Sequence, residues 1–222
     1  MQWKEGKRVI YTPKMKRLYK MIQDKLFYMI PEKWDKVCLY ASVLEQIEDI
    51  LSGEMYFYYF PKGILKMRPV NVYEIPMKYN IADETYTKHV EELYQYIKEL
   101  WNEFITNGYR KWYCITINIE NFRFKIEYNY IDMRLQPYSS EQNHIIWKYK
   151  NLKKDFEAYN RKEKKVIENY LDSQLEEDTE IHEEVIYRNP VRNVIEYARE
   201  ESFIKEEPVV INNEILLKKG IH

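Results

Sequence analysis

Trp112-Tyr113-Cys114-Ile115-Thr116-Ile117-Asn118-Ile119-Glu120-Asn121-Phe122-Arg123-Phe124-Lys125-Ile126-Glu127-Tyr128-Asn129-Tyr130 alternates apolar and polar side chains with period two almost without fault. Successive side chains on a strand point to opposite faces. The first half therefore sends Tyr113, Ile115, Ile117 and Ile119 to one face, and Trp112, Cys114, Thr116 and Asn118 to the other. After Glu120-Asn121 the pattern resumes with Phe122, Phe124, Ile126, Tyr128 and Tyr130 on one face and Arg123, Lys125, Glu127 and Asn129 opposite. A hairpin with a two-residue turn at Glu120-Asn121 pairs Ile119 with Phe122, Ile117 with Phe124, Ile115 with Ile126 and Tyr113 with Tyr128. A slip of one residue would set apolar side chains opposite charged ones. Asn tolerates the positive φ that tight hairpin turns need, whereas Glu before it is less apt, so the turn type stays open.

The apolar face of such a hairpin must be covered, since burying one Phe- or Ile-sized group is worth about 1.5–3 kcal/mol. Helical patterns flank it in sequence. From Pro13 to Met29, Met15, Leu18, Tyr19, Ile22, Leu26 and Met29 recur at three- and four-residue steps, with Pro31 just beyond. The polar face of this helix is basic: Lys14, Lys16, Arg17, Lys20 and Lys25. A second helix runs over 83–107, capped by Asp83, with Tyr86, Val90, Leu93, Ile97, Leu100, Trp101 and Phe104 on one stripe and Gly108 past its end. Between the two helices the spacing predicts strands over Val37–Leu44, Met55–Phe60 and Val70–Ile75 in a meander, with Glu45–Gly53 a loop or one helical turn. Residues 1–12 read as a loose leader.

Past residue 152 the periodicity weakens and charge rises. A helix over Asp155–Leu175, a short one over Arg192–Glu201 and a strand-like Val209–Leu217 are the readings there; Asp172–Glu184 holds seven acids and no Lys or Arg. The chain divides at this point into a domain over 13–152 and a helical, charged extension over 153–222.

Composition narrows the function. The 222 residues carry a net charge of −1, which argues against a general nucleic-acid binder. No apolar run approaches the roughly 20 residues of a membrane span. The charged N-terminus lacks the apolar core of a signal peptide, so a cytoplasmic location is expected. With 22 Tyr and 5 Trp there is ample material for a core and for contact surfaces with few rotors to freeze. A disulfide between Cys38 and Cys114 requires their two strands to be neighbours.

Chemistry is thinly represented. His89, His144, His182 and His222 are scattered, none at metal-ligand spacing. No phosphate loop, dinucleotide fingerprint or nucleophile elbow is present, and no cofactor is expected. Glu127, with Lys125 on the same strand face and Asp132 close behind, is the nearest approach to a metal-dependent hydrolytic site. Such a pair is equally a cross-strand charge pair. Acids gather at Glu45, Glu48 and Asp49, on the second helix at Glu84, Glu91, Glu92, Glu99 and Glu103, and at Asp172–Glu184. Surfaces of this kind suit a partner with a positively charged groove, because complementary fields speed and orient association.

Several local strings, in order, resemble the YezG-like immunity (antitoxin) family of Gram-positive bacteria. They are Leu18-Tyr19-Lys20-Met21-Ile22, Ile30-Pro31-Glu32-Lys33-Trp34-Asp35-Lys36-Val37, Tyr56-Phe57-Tyr58-Tyr59 and Ile75-Pro76-Met77-Lys78-Tyr79-Asn80-Ile81. The helix from Glu92-Leu93-Tyr94 to Leu100-Trp101-Asn102-Glu103-Phe104, the hairpin and Ile145-Ile146-Trp147-Lys148-Tyr149-Lys150 complete the set. The resemblance implies a non-enzymatic protein that neutralises the C-terminal domain, often a nuclease, of an LXG-type toxin exported by a type VII system. It supplies no catalytic residues. Family members are often distinctly acidic, whereas this chain is near neutral with a basic first helix.

The expectation is an α+β fold in the order α-β(3)-α-β(2)-α, mainly antiparallel, its helices covering the sheet face that bears Tyr113, Ile115, Phe124 and Ile126. The expected partner-binding residues are Glu45, Glu48, Asp49, Glu84, Glu91, Glu92, Glu99 and Glu103, contacting a basic toxin surface. A general interaction module driven by its tail, and a small hydrolase using Glu127 and Asp132, remain as alternatives.

Overall fold

The computed structural model describes residues 9–45, 51–63, 68–173 and 178–186. Its centre is a six-stranded antiparallel sheet in the order β5-β4-β1-β6-β7-β8. The strands are β1 (Trp34–Ser42), β4 (Met55–Pro61), β5 (Val70–Asn71), β6 (Cys114–Glu120), β7 (Arg123–Asn129) and β8 (Thr179–Val185). β2 (Leu44–Glu45) and β3 (Leu51–Ser52) form a separate two-stranded ladder where a loop or helical turn was expected. Helices α1 (Pro13–Met29) and α3 (Asp83–Thr106) lie on one face of the sheet; α4 (Ser140–Asn151) packs on the other, with α5 (Arg161–Ser173) against α4. Short α2 (Ile75–Tyr79) follows β5.

The hairpin forms, two positions out of the expected register. Glu120 pairs with Arg123, Ile119 with Phe124, Ile117 with Ile126 and Ile115 with Tyr128. The turn is Asn121-Phe122, with φ of 50° and 60°. Two consecutive positive φ values make a two-residue turn whose twist matches the strands. Alternation forbids a slip of one but is blind to a slip of two, which keeps every face. The turn decides, and placing Asn121 first in it leaves Phe122 off the apolar face, 65% exposed. The strand also begins later than expected. The chain bends before Cys114, so Trp112 enters the core while Tyr113 is only half-buried.

The helical layer over Ile115, Ile117, Phe124, Ile126 and Tyr128 is built by α1 and α3. In α1 the Thr12 hydroxyl accepts the Met15 N–H at 3.0 Å and Pro13 occupies the first turn, where its missing N–H costs nothing. Asp83 is the first residue of α3 rather than its cap, which is Ala82. An acid there still favours the helix by its position against the dipole. Gly108, φ +71°, takes the left-handed conformation just past the helix. The helices run antiparallel: Tyr86 Oη donates to the Met29 carbonyl at 3.1 Å, and Thr12 reaches Glu103 near the far end of α3. Trp101 Nε1 donates to the Trp112 carbonyl at 2.9 Å, tying α3 to the entry of β6. The leader is anchored where it is described: Val9 is buried, and the Tyr109 hydroxyl bonds both the N–H and the carbonyl of Ile10.

The opposite face carries Cys38, Tyr40, Tyr56, Tyr58 and Cys114, closed by Trp147 and Leu152. Trp147 Nε1 donates to Thr116 Oγ1 at 3.0 Å. A full capping box, Ser139 with Gln142, starts α4. Strands β1 and β6 are neighbours, but Cys38 sits opposite Asn118 and Cys114 opposite Ser42. Four positions along a strand separate the thiols by about 13 Å, and both are free. Burial pushes the Cys38 thiol up to about 11.

The predicted strand over Val70–Ile75 is short. The Asn71 side chain accepts the Tyr73 N–H, and Pro76 sits in the first turn of α2, so the chain turns helical after two ladder residues. Beyond residue 152 the helix is Arg161–Ser173, within the expected Asp155–Leu175, and Thr179–Val185 adds the sixth strand. The readings at Arg192–Glu201 and Val209–Leu217 lie outside the described residues.

Two substitutions test this packing by urea denaturation. Phe104→Ala removes a fully buried ring between Trp112 and Tyr128, with an expected loss of about 3–5 kcal/mol. A Cβ on Gly53 would stand 2.0 Å from the Ser42 carbonyl oxygen. Gly53→Ala must therefore displace backbone, and a clear drop in the denaturation midpoint is expected.

Candidate partner-binding surface

Helical phase sorts the acids of α3. Its inward stripe is Tyr86, Leu93, Ile97, Leu100 and Phe104. Glu84 and Glu91 stand opposite that stripe, exposed, and Glu99 shares their outward side but is half-buried. Glu84 pairs with Lys88 one turn on, at 3.4 Å. Glu92 and Glu103 are three turns apart and share the side that meets α1. Glu92 bonds Lys25, with His89 at 3.6 Å; the Lys25 hydrogen bond leads in holding its carboxyl low.

Glu103 is not on the outer face. It is 8% exposed and accepts from Thr12 at 2.8 Å and Asn107 at 3.0 Å, with Lys14 at 3.2 Å. Burial alone would raise its carboxyl; the bonds from Thr12, Lys14 and Asn107 outweigh it, and the carboxyl sits below its ordinary value. A basic α1 face and an acidic α3 side are thus partly spent on each other along the seam between the helices.

The remaining acids divide similarly. Glu45 ends β2 and pairs with Lys111, whose ammonium lies 5.2 Å from the Trp101 ring centroid. Glu48 and Asp49 lie outside the described residues. In the acidic run, Asp178 pairs with Arg110, Glu180 accepts from Tyr130, Glu183 pairs with Arg123 at 2.9 Å, and Glu184 accepts from Gln23. Those four carboxylates fasten β8 to the sheet and to α1.

Glu127 and Asp132 are not brought to a common site. Glu127 is 3.4 Å from Lys125 on its own strand face. Asp132 caps the turn over Met133–Leu135 and forms a two-pronged pair with Arg134, which holds its carboxyl below its ordinary value. Among the described residues no three His, Cys, Asp or Glu side chains are placed to hold a metal.

Sequence reasoning missed the aromatic cluster that docks α4. The His144 ring stacks on Tyr56 with centroids 3.7 Å apart, and its Nε2 lies 3.0 Å from the Tyr58 hydroxyl. Burial and the nearby Lys148 charge lower His144 to about 4. The only sign of this in the sequence is the alternation of Tyr56 and Tyr58 on one strand face with Tyr40 beside them.

The family model described as YezG-like immunity protein matches residues 15–168. An immunity protein YezG from Bacillus spizizenii (strain ATCC 23059 / NRRL B-14472 / W23) is 33% identical over 142 residues, 64% of this chain and 84% of that protein. One from Bacillus subtilis (strain 168) is 29% identical over 139 residues, 62% and 87% of the two chains. A type VII secretion system protein, EsaG, of Staphylococcus aureus (strain NCTC 8325 / PS 47) is 26% identical over 142 residues, 63% and 82%.

His144 gives a pH-dependent prediction. Its ordinary value is 6.5 and its folded value about 4, so between these the unfolded chain binds the extra proton. Stability contributed at this site is complete above pH 6.5 and declines as pH falls toward 4. Thermal melts of His144→Gln across that interval should show a shallower pH dependence than the parent chain.

Proposed function

This chain belongs to the YezG-like immunity protein family, and we propose that it binds and neutralises the C-terminal domain of a cognate toxin, a nuclease of the LXG type exported by a type VII system, inside the producing cell. The type VII assignment draws on the name of the EsaG relative. The cytoplasmic site of action follows from the need to meet the toxin before export. Among the described residues, no helix is long and apolar enough to cross a membrane. Inhibition is by occupancy, not by turnover: one molecule covers one toxin.

The observation that carries this reading is the outward stripe of α3. Glu84, Glu91 and Glu99 project from a helix whose opposite stripe is locked into the core. The acids are thus displayed on a frame that does not have to be ordered on binding, which spares part of the cost of association. A basic nucleic-acid groove is the natural complement of such a stripe. Glu45 sits outside it, at the end of β2.

Co-expression with the toxin encoded by the neighbouring reading frame tests the reading. Cells should survive when both are made. Toxicity that persists despite abundant soluble chain would sink it for that pair. Glu84→Lys, Glu91→Lys and Glu99→Lys combined should weaken toxin binding roughly 10- to 100-fold and flatten its salt dependence, as read by calorimetry. Glu103→Gln should instead lower the melting temperature and leave the affinity of the folded chain near its parent value.

A further inference from the structure

We propose that the groove between the Asn121-Phe122 turn and the C-terminal end of α1 is a second docking site, which takes an acidic segment of the toxin carrying an apolar side chain; this rests on the immunity reading above. Phe122 is the starting point. Its φ of +60° is one that any Cβ-bearing residue adopts at a cost and that glycine adopts freely. Its ring is 65% exposed, so packing returns little of that cost. Neither local conformation nor core burial favours phenylalanine here. What the ring does supply is an aromatic edge to the groove.

The groove encloses about 430 Å³. Phe27, Trp34, Ile119 and Ile186 form its walls, an apolar lining able to hold one large side chain. Its charged lining is Lys33, Lys62 and Asp35, an excess of one positive charge. Both lysines are exposed, and neither has an ion-pair partner among the described residues. Their backbones are tied together, the Lys62 N–H donating to the Lys33 carbonyl at 2.8 Å. The two ammonium groups therefore spring from one rigid corner where β1 meets β4. Apolar walls beneath paired cations select an apolar side chain flanked by carboxylates, by the same charge complementarity that makes the acidic α3 stripe select a basic surface. A partner meeting both must itself carry both signs, in keeping with the near-neutral charge of this chain.

The test uses the full chain and the toxin domain of the neighbouring reading frame, silenced by an active-site substitution, with affinity read by calorimetry. Phe122→Gly should leave the melting temperature unchanged or higher while weakening toxin binding roughly tenfold. Lys33→Glu with Lys62→Glu should weaken it by a similar factor at unchanged melting temperature. That opposition of stability and affinity is a signature a merely structural turn residue would not give. A parent complex that is indifferent to both variants overturns the docking site and leaves the immunity reading standing. If the parent chain forms no complex, the immunity reading falls and the docking site with it. Self-association of the chain in sedimentation, abolished by the same variants, would make a second copy the occupant and also overturn it.

Discussion

Strand β1 must be shielded on both sides, and that demand organises the molecule. Val37, Leu39 and Ala41 face one way, Cys38 and Tyr40 the other, and all five are buried. Its neighbour β6 repeats the arrangement, with Ile115, Ile117 and Ile119 under the helices and Cys114 under Trp147. A sheet buried on both faces needs two covering layers. The chain provides α1 and α3 for one and α4 for the other. Each of the large elements can be understood as meeting one half of that demand.

Covering layers bring their own polar faces, and these are only partly free. An antiparallel helix pair with one basic and one acidic side pairs charges along its seam, as Lys25 with Glu92 and Lys14 with Glu103. The Lys25–Glu92 pair, its carboxylate half-exposed, is worth little in stability, whereas Glu103 is buried and lost to any contact surface. What remains outward on α3 is set by the 3.6-residue period and not by the number of acids in the helix. Net charge is a poor guide to which carboxylates stay outward, because several of the chain's charges pair with one another along the seam.

Much of this was legible in the sequence, and the failures have physical causes. The period-two run announced the hairpin and the parity of its faces through Ile115 to Tyr128. It could not fix the register, because a slip of two leaves every face unchanged and only the conformational tolerance of Asn121 chooses between them. Helices α1 and α3 were legible from their apolar stripes. The outward Glu84 and Glu91 follow from the same period, but the burial of Glu103 depends on Thr12 and Lys14, 91 and 89 residues away in the chain. The strand Thr179–Val185 carries no local sign at all. Its inward residues are Glu180, His182 and Glu184, which no hydrophobic pattern would place against a sheet. They are accepted because Tyr130 donates to Glu180, Gln23 donates to Glu184, and Tyr11 and Tyr19 enclose the His182 ring at 4.4 and 4.7 Å.

A frame of this kind separates the positions that packing fixes from those it leaves free to vary. The sheet and its two covers fix where helix stripes and turn corners stand; they say nothing about which side chains those positions carry outward. Glu91 on α3 could be reversed in sign without touching a core contact, whereas Glu103 could not, although the two are a few turns apart on one helix. The core holds these surfaces in place, and on the outward stripe of α3 and at the corner formed by Phe122, Lys33 and Lys62 side chains can change at little cost to folding.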